Sequence, residues 1–276
     1  MMVAAFFFGA EIAQAADVSF SGKIRTRYEN ETKSNMLSSR TQAVDFTATQ
    51  VRLNAKANIN ADTSAFVQMQ SSRVWGSANS SFTASDGDAS VGLHEAYFTL
   101  KNFAGMPITA KVGRQQIVLD GHRIFGHTGW TTGAQTHDGL RLTHSHGNTS
   151  IGYGYTMGQE LVGPVVTEHD VETHFIRINN QGVLGGSLST YAVFMDDDCG
   201  AINSLSACTA GENKWWTLGA RQAGKLYGLD YRAEYYWQGG NAAGAGNKIT
   251  ESTTHSIYGT AVASEIRGYS AQTNRD

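Results

Sequence analysis

Basic residues recur at every second position in several stretches of this chain. In 18–29, Lys23, Arg25 and Arg27 alternate with Ile24, Thr26 and Tyr28; in 45–59, Arg52 and Lys56 alternate with Val51, Leu53, Ala55 and Ala57. Lys111, Arg141, Arg177, Arg221 and Arg232 hold the same kind of position in later stretches. Side chains two residues apart share one face of a β-strand. The spacing therefore builds a cationic face backed by an apolar one. Its chemistry is anion binding: a row of Arg and Lys on a low-dielectric wall selects anions, and the guanidinium fork matches a carboxylate. Glu95, Asp230 and Glu234 share the charged faces, so part of this charge braces the wall.

The elements that carry these residues are long strands. Period-2 alternation marks about twelve of them, at 18–29, 45–59, 63–73, 91–101, 108–116, 137–144, 148–157, 171–179, 184–195, 214–222, 226–237 and 255–267. The clearest are longer than the ~5–6 residues of a usual strand and match the ~9–11 that a tilted membrane strand needs. Short and long connections take turns along the chain, the asymmetry of an outer-membrane barrel with tight periplasmic turns and long extracellular loops. Facing follows from energy. Lys or Arg on the lipid side costs about 2–4 kcal/mol near the bilayer midplane, so the apolar faces meet lipid and the charged faces line a lumen. The expected fold is all-β, a transmembrane antiparallel up-and-down barrel over 17–276. Tyr28, Trp75, Tyr97, Trp215, Trp216, Tyr235, Trp237 and Tyr258, near strand ends, read as aromatic girdles; lumen-facing Trp215 and Tyr97 also suit carbohydrate stacking.

Composition agrees. Among 276 residues, 16% are charged, 31 are Gly and 2 are Pro, with a net charge of −3. That balance is low in charge for a soluble domain and shows no basic patch for nucleic acid. No apolar run reaches the ~20 residues of a membrane-spanning helix. The small net charge conceals a basic set of strands and an acidic set of loops. Residues 1–16 read as a signal peptide, an apolar block followed by Ala13-Gln14-Ala15. Export puts Cys199 and Cys208, in one polar loop, in an oxidising compartment, where a local disulfide between them is expected. The expected location is the outer membrane of a Gram-negative bacterium.

Other chemistries fit less well. His144, Ser145, His146 and Ser150 lie close in sequence, but across a tight turn and without an orienting acid, so no hydrolase is expected. Of the histidines, only His122, His127 and His137 can meet at one end of a barrel; no metal or other cofactor is expected. The long connection 117–136, with its glycines and Arg123, is expected to fold into the lumen.

Leu93-His94-Glu95-Ala96-Tyr97, Val112-Gly113-Arg114-Gln115-Gln116, Asp120-Gly121-His122-Arg123-Ile124-Phe125-Gly126, Trp130 and His137-Asp138-Gly139-Leu140-Arg141-Leu142 follow one another. In order and type they resemble the alginate-export family of outer-membrane barrels, with its Gly-Arg-Gln strand end, Gly-Asp-x-Arg-Leu-type loop, Trp, and Phe-Asp-Gly/Ala-x-Arg-Leu strand. Here Gly121 interrupts the loop spacing and His137 stands where Phe is usual. The resemblance implies that Arg114, Arg123, Asp138 and Arg141 belong to a constricted, arginine-rich interior that passes an anionic polyuronate. It also implies a barrel of eighteen strands. With about twelve, and ending in Asn274-Arg275-Asp276 without a terminal aromatic, the chain reads as an N-terminal portion of such a barrel or as a smaller relative.

The functional expectation is an outer-membrane channel for anionic solutes, foremost an alginate-like polysaccharide. Its path would run along Arg25, Arg27, Arg52, Lys56, Lys111, Arg114, Arg123, Asp138, Arg141, Arg177 and Arg232. The alternatives are a general or organic-acid porin, and a structural sleeve around a partner protein. Expected partners are outer-membrane lipid, an anionic polysaccharide or organic acid, and periplasmic export or assembly machinery.

Overall fold

A computed structural model describes residues 17–31, 44–76, 91–122, 125–160, 170–197, 213–241, 248–261 and 264–266. The expected signal peptide, the pair of Cys199 and Cys208, and Arg123 lie outside the described residues. The strands are β1 (Asp17–Glu31), β2 (Val44–Asn58), β3 (Thr63–Val74), β4 (Gly92–Leu100), β5 (Ile108–Gln115), β6 (His137–His146), β7 (Thr149–Glu160), β8 (Asp170–Val183), β9 (Gly186–Asp197), β10 (Asn213–Leu226), β11 (Leu229–Asn241), β12 (Lys248–Ala261) and β13 (Ser264–Ile266). They form one 13-stranded sheet in sequence order. Every pairing is antiparallel, as an up-and-down barrel requires. Among the described residues no pairing joins β1 to β13, so the sheet is not closed there.

Two turns differ from expectation. The sequence suggests turns at 180–183 and 223–225, where Asn, Gly and small residues gather. The chain turns at Leu184-Gly185 and Tyr227-Gly228 instead, with φ of 46° and 68° and of 50° and 82°. Both central residues are left-handed, the geometry of tight hairpins whose twist matches their strands. Leu and Tyr there are unusual; the register that keeps apolar side chains on one face decides, and a slip of one residue would turn every side chain over.

The two faces differ as the alternation predicts. On one stand Phe20, Ile24, Tyr28, Leu53, Phe98, Ile176, Phe194 and Trp237, all exposed to the surroundings. That is how lipid-facing side chains stand. The other face carries Arg25, Gln50, Arg52, Gln68, Lys111, Arg141, Arg177 and Glu234, and the connection between β5 and β6 folds back over it. This is the inner face. Tyr97 and Trp215 belong to it by register, opposite Phe66 and Met195, so neither is part of an outer girdle. Tyr97 stacks on Phe66 with ring centroids 5.0 Å apart.

Glycines on the inner face set its depth. Phe175 lies flat over Gly154, its register partner, so closely that a Cβ added there would stand 2.0 Å from the ring. Tyr191 covers Gly219 in the same way, at 2.2 Å. Gly152, by contrast, meets nothing nearer than 3.7 Å. Gly154→Ala is therefore expected to push Phe175 off its seat and cost about 1–3 kcal/mol. Gly152→Ala should be neutral or slightly stabilising, and urea unfolding of the folded protein in detergent separates the two.

Candidate functional site

The segment between β5 and β6 crosses from one wall of the sheet to the other. At its start, Ile117 and Leu119 are buried in a cluster with Phe175, Tyr191, Val193 and Tyr236, against which Phe125 packs. Burying side chains of this size is worth about 1.5–3 kcal/mol each. Asp120 then takes a left-handed φ of 48°. Its Oδ1 accepts from Arg177 Nη2 at 2.6 Å and Nε at 3.2 Å, and from Ser189 Oγ at 2.7 Å. The Asp120 side chain is 3% exposed and that of Arg177 25%. One end of the loop is thus anchored to β8, β9 and β11 by an apolar cluster and a largely buried ion pair.

The other end lies on β1, β2 and β3. Five consecutive backbone carbonyls, from Gly129 to Gly133, accept hydrogen bonds from that wall. Arg25 donates to Gly129 O at 2.9 Å and Thr131 O at 2.6 Å. Arg27 donates to Trp130 O, and Gln50 to Thr132 O. Ser72 Oγ reaches Thr132 O at 3.0 Å. Gln70 Nε2 lies 2.7 Å, and Arg52 Nη2 3.4 Å, from Gly133 O. A loop taken out of bulk water must find partners for its polar groups, and the strand pattern supplies donors at successive inner positions. Bonds from a charged donor are worth about 1.5–3 kcal/mol, neutral ones about 1. The segment holds Asp120, His122, Thr128 and Ala134 at positive φ. Such strain persists only where surrounding contacts over-determine it, and both anchors do so.

The sequence-predicted cations divide into three groups. Arg25, Arg27 and Arg52 bind the loop, and Arg27 also pairs with Glu29 at 2.8 Å. Arg177 binds Asp120. Lys56, Lys111, Arg141 and Arg232 are on the inner face by register and make no ion pair among the described residues. Lys111 rests on Tyr97, Nζ 3.5 Å from the ring centroid. It stands directly opposite Arg141. Beyond Arg141 come Gly154 and, beside it on the same face, the open position Gly152, itself opposite Arg177. Phe175 covers Gly154, so the open position Gly152 lies one step along β7 from the partner of Arg141, between Thr143 and Arg177.

Arg114 and Asp138 are a correction to the expected interior set. They face each other, with Nη1 2.7 Å from Oδ2. Yet they alternate with Lys111, Gly113 and Gln115 on β5 and with Gly139 and Arg141 on β6, and so share the outer face with Val112 and Leu140. Their side chains are 41% and 58% exposed. An exposed pair at the loop end of two strands suits the headgroup boundary, where an outward charge costs about 0–1 kcal/mol. Lys214 and Asp196 make a similar outer pair at 3.3 Å.

The histidines do not converge. His122 and His127 rings approach to 5.0 Å, while His137 packs on Phe125 at 4.7 Å. Among the described residues no group of three side chains is arranged to hold a metal ion. Partial burial, reinforced by His122 and Arg52, lowers the pKa of the loop imidazole of His127 from its ordinary value. His144 and Ser145 point to opposite faces of β6, and His144 Nδ1 is bonded to Pro107 O at 2.7 Å.

Sequence reading missed the tethering carbonyls and the anchor at Asp120. Gln50, Gln70 and Ser72, polar residues at inner positions beside arginines, were the available signal for the tether. Asp120 was visible only as part of the loop motif, since its partner comes from a strand far along the chain.

An antiparallel up-and-down sheet with an apolar outer face, a polar inner face and a loop folded across it is a channel of the outer-membrane type. The model of the alginate-export family matches residues 16–273, nearly the whole chain, and the protein belongs to that family. It is accordingly an outer-membrane export channel, a transporter rather than an enzyme. Among solved structures it is similar to Salmonella typhi OmpF in complex with daunomycin, at 10% identity over 88% of this chain and 86% of that one, with a TM-score of 0.42. That likeness carries no part of the assignment. No curated protein matches the sequence significantly.

Proposed function

We propose that the lumen prefers anions and passes an alginate-like polyuronate, which moves between the tethered loop and the cationic wall of β5 and β6. The observation that carries this reading is the division of the inner cations. Arg25, Arg27 and Arg52 are engaged by the loop, whereas Lys111 and Arg141 stand opposite each other and make no ion pair among the described residues, with Glu95 the carboxylate on the same face that acts on Lys111. Unpaired cations on a low-dielectric wall focus a positive potential. A few weak sites in series let a polyanion bind and still leave. The carbonyls of Gly129 to Gly133 satisfy donors without cancelling charge, so Arg25 and Arg52 still add to the field. A sleeve around a partner protein has less support, because it needs an empty lumen and the loop crosses this one.

Reversal potentials in planar bilayers under a salt gradient test the proposal. The unmodified protein is expected to prefer chloride, and Lys111→Glu with Arg141→Glu to abolish or reverse that preference. The same pair of changes at Arg114 and Lys214, on the outer face, should leave it unchanged. Cation preference in the unmodified protein, or full anion preference in the Lys111 and Arg141 variant, would remove the reading.

A further inference from the structure

Trp130 is the most exposed aromatic of the inward loop, with 70% of its surface accessible. It is nonetheless firmly held. Its Nε1 donates to Glu29 Oε1 at 3.1 Å, and its carbonyl accepts from Arg27. The guanidinium carbon of Arg27 stands 4.9 Å from the indole centroid, and Arg27 is ion-paired to Glu29 at 2.8 Å. A large aromatic side chain normally hides most of its surface. Here a hydrogen bond, a cation–π contact and an ion pair fix the ring while leaving it uncovered, on the inner face near the end of β1 that leads to a long loop.

We infer that Trp130 is a stacking platform for a pyranose ring, placed where a saccharide chain passes the long-loop mouth. The inference rests on the export-channel reading and adds a residue to it. A flat apolar ring packs against the C–H face of a sugar, and planar polar groups at its edge serve the hydroxyls; Arg27 and Glu29 are such groups. A lipid tail is a poor fit, since the two side chains that hold the indole, Arg27 and Glu29, are both charged, with Phe46 on the far side of Arg27. A small inorganic anion has no use for the ring. Lys111 and Arg141 recognise charge elsewhere on the wall, whereas Trp130 recognises the ring that carries it.

The test is current block of the full chain in planar bilayers, with tetragalacturonate added on the long-loop side as the probe. Trp130→Ala is expected to shorten the residence time of the block roughly tenfold, the worth of a good aromatic contact. Trp130→Tyr should keep most of it. Block by tetraglutamate, which has carboxylates and no sugar ring, should be the same in all three proteins. An unchanged residence time in Trp130→Ala overturns the platform. So does an equal loss for tetraglutamate, which would mean that the change only displaces the loop. Glu29→Ala keeps the ring and removes its tether; if it alone reproduced the full loss, the indole would be a clamp and the platform would fall. Cation preference in the unmodified protein removes the anion reading alone, because neutral maltotetraose then supports the platform by a similar loss in Trp130→Ala or overturns it by none.

Discussion

Excising residues 117–135 and closing β5 to β6 with an Asn-Gly hairpin should raise single-channel conductance severalfold. The cut is geometrically simple. Gln115 and His137 are register partners, so the ends already stand side by side, and a two-residue turn of this type is a favoured hairpin connection. Two consequences follow from the anchors. The lumen loses the segment that spans it, which widens the passage. Arg25, Arg27 and Arg52 lose the carbonyls of Gly129 to Gly133 and turn toward water, so anion preference should hold or increase while conductance rises. Stability falls as well, because Phe175, Tyr191, Val193 and Tyr236 lose the cover of Ile117 and Leu119. Unchanged conductance in planar bilayers would mean that the loop does not set the constriction.

Much of the fold is legible in the sequence because a membrane strand must satisfy two solvents at once. Phe20, Ile24 and Tyr28 against Lys23, Arg25 and Arg27 admit one orientation only, and the same logic locates the other long strands. Turns are less legible. Asn180 and Gln181 look like turn residues, yet they lie within β8, and the chain turns at Leu184, a residue with no turn preference. Register across the neighbouring strands outweighs local propensity there, and register is a property of pairs, not of one segment. The aromatic residues show the same limit. Parity already turns Tyr97 inward, but that it stacks on Phe66 shows only once the strands are paired.

The site was readable in part. That 117–136 enters the lumen follows from its length, its glycines and its arginine. That Arg25 and Arg52 serve the loop rather than a solute does not, since one donor group suits a carbonyl and a carboxylate alike. Arg114 is the instructive error. Its motif suggests the interior, but its parity with Val112, plain in the sequence, puts it on the outer face. Where a motif and the strand period disagree, the period carries the stronger physical constraint, because it is enforced by lipid along the whole strand. A later motif residue, Arg141, obeys both and stands inside.

Asp120→Ala is the single substitution expected to do the most damage. It removes the partner of a guanidinium that is only 25% exposed, from a carboxylate that is 3% exposed. Breaking a fully buried pair costs about 3–5 kcal/mol, because the remaining charge stays uncompensated; the partial exposure of Arg177 places this one near the lower end. Ser189 Oγ also loses its acceptor. The backbone adds its own share: φ is 48° at this position, a conformation that costs most residues about 1–2 kcal/mol and that Asp and Asn tolerate better. A loss of about 3–4 kcal/mol is expected, read as a lower urea midpoint with an unchanged slope. Asp120→Asn keeps the local backbone preference and one acceptor and should lose about half as much. Asp120→Gly relieves the backbone without restoring the charge, so it should fall between the two. In the bilayer, Asp120→Ala should also make the open current noisier, since the loop would keep its tether to β1, β2 and β3 and lose its polar anchor at the opposite wall. A loss below about 0.5 kcal/mol together with a quiet current would show that the apolar cluster of Ile117 and Leu119 holds that end alone, and that the ion pair only decorates it.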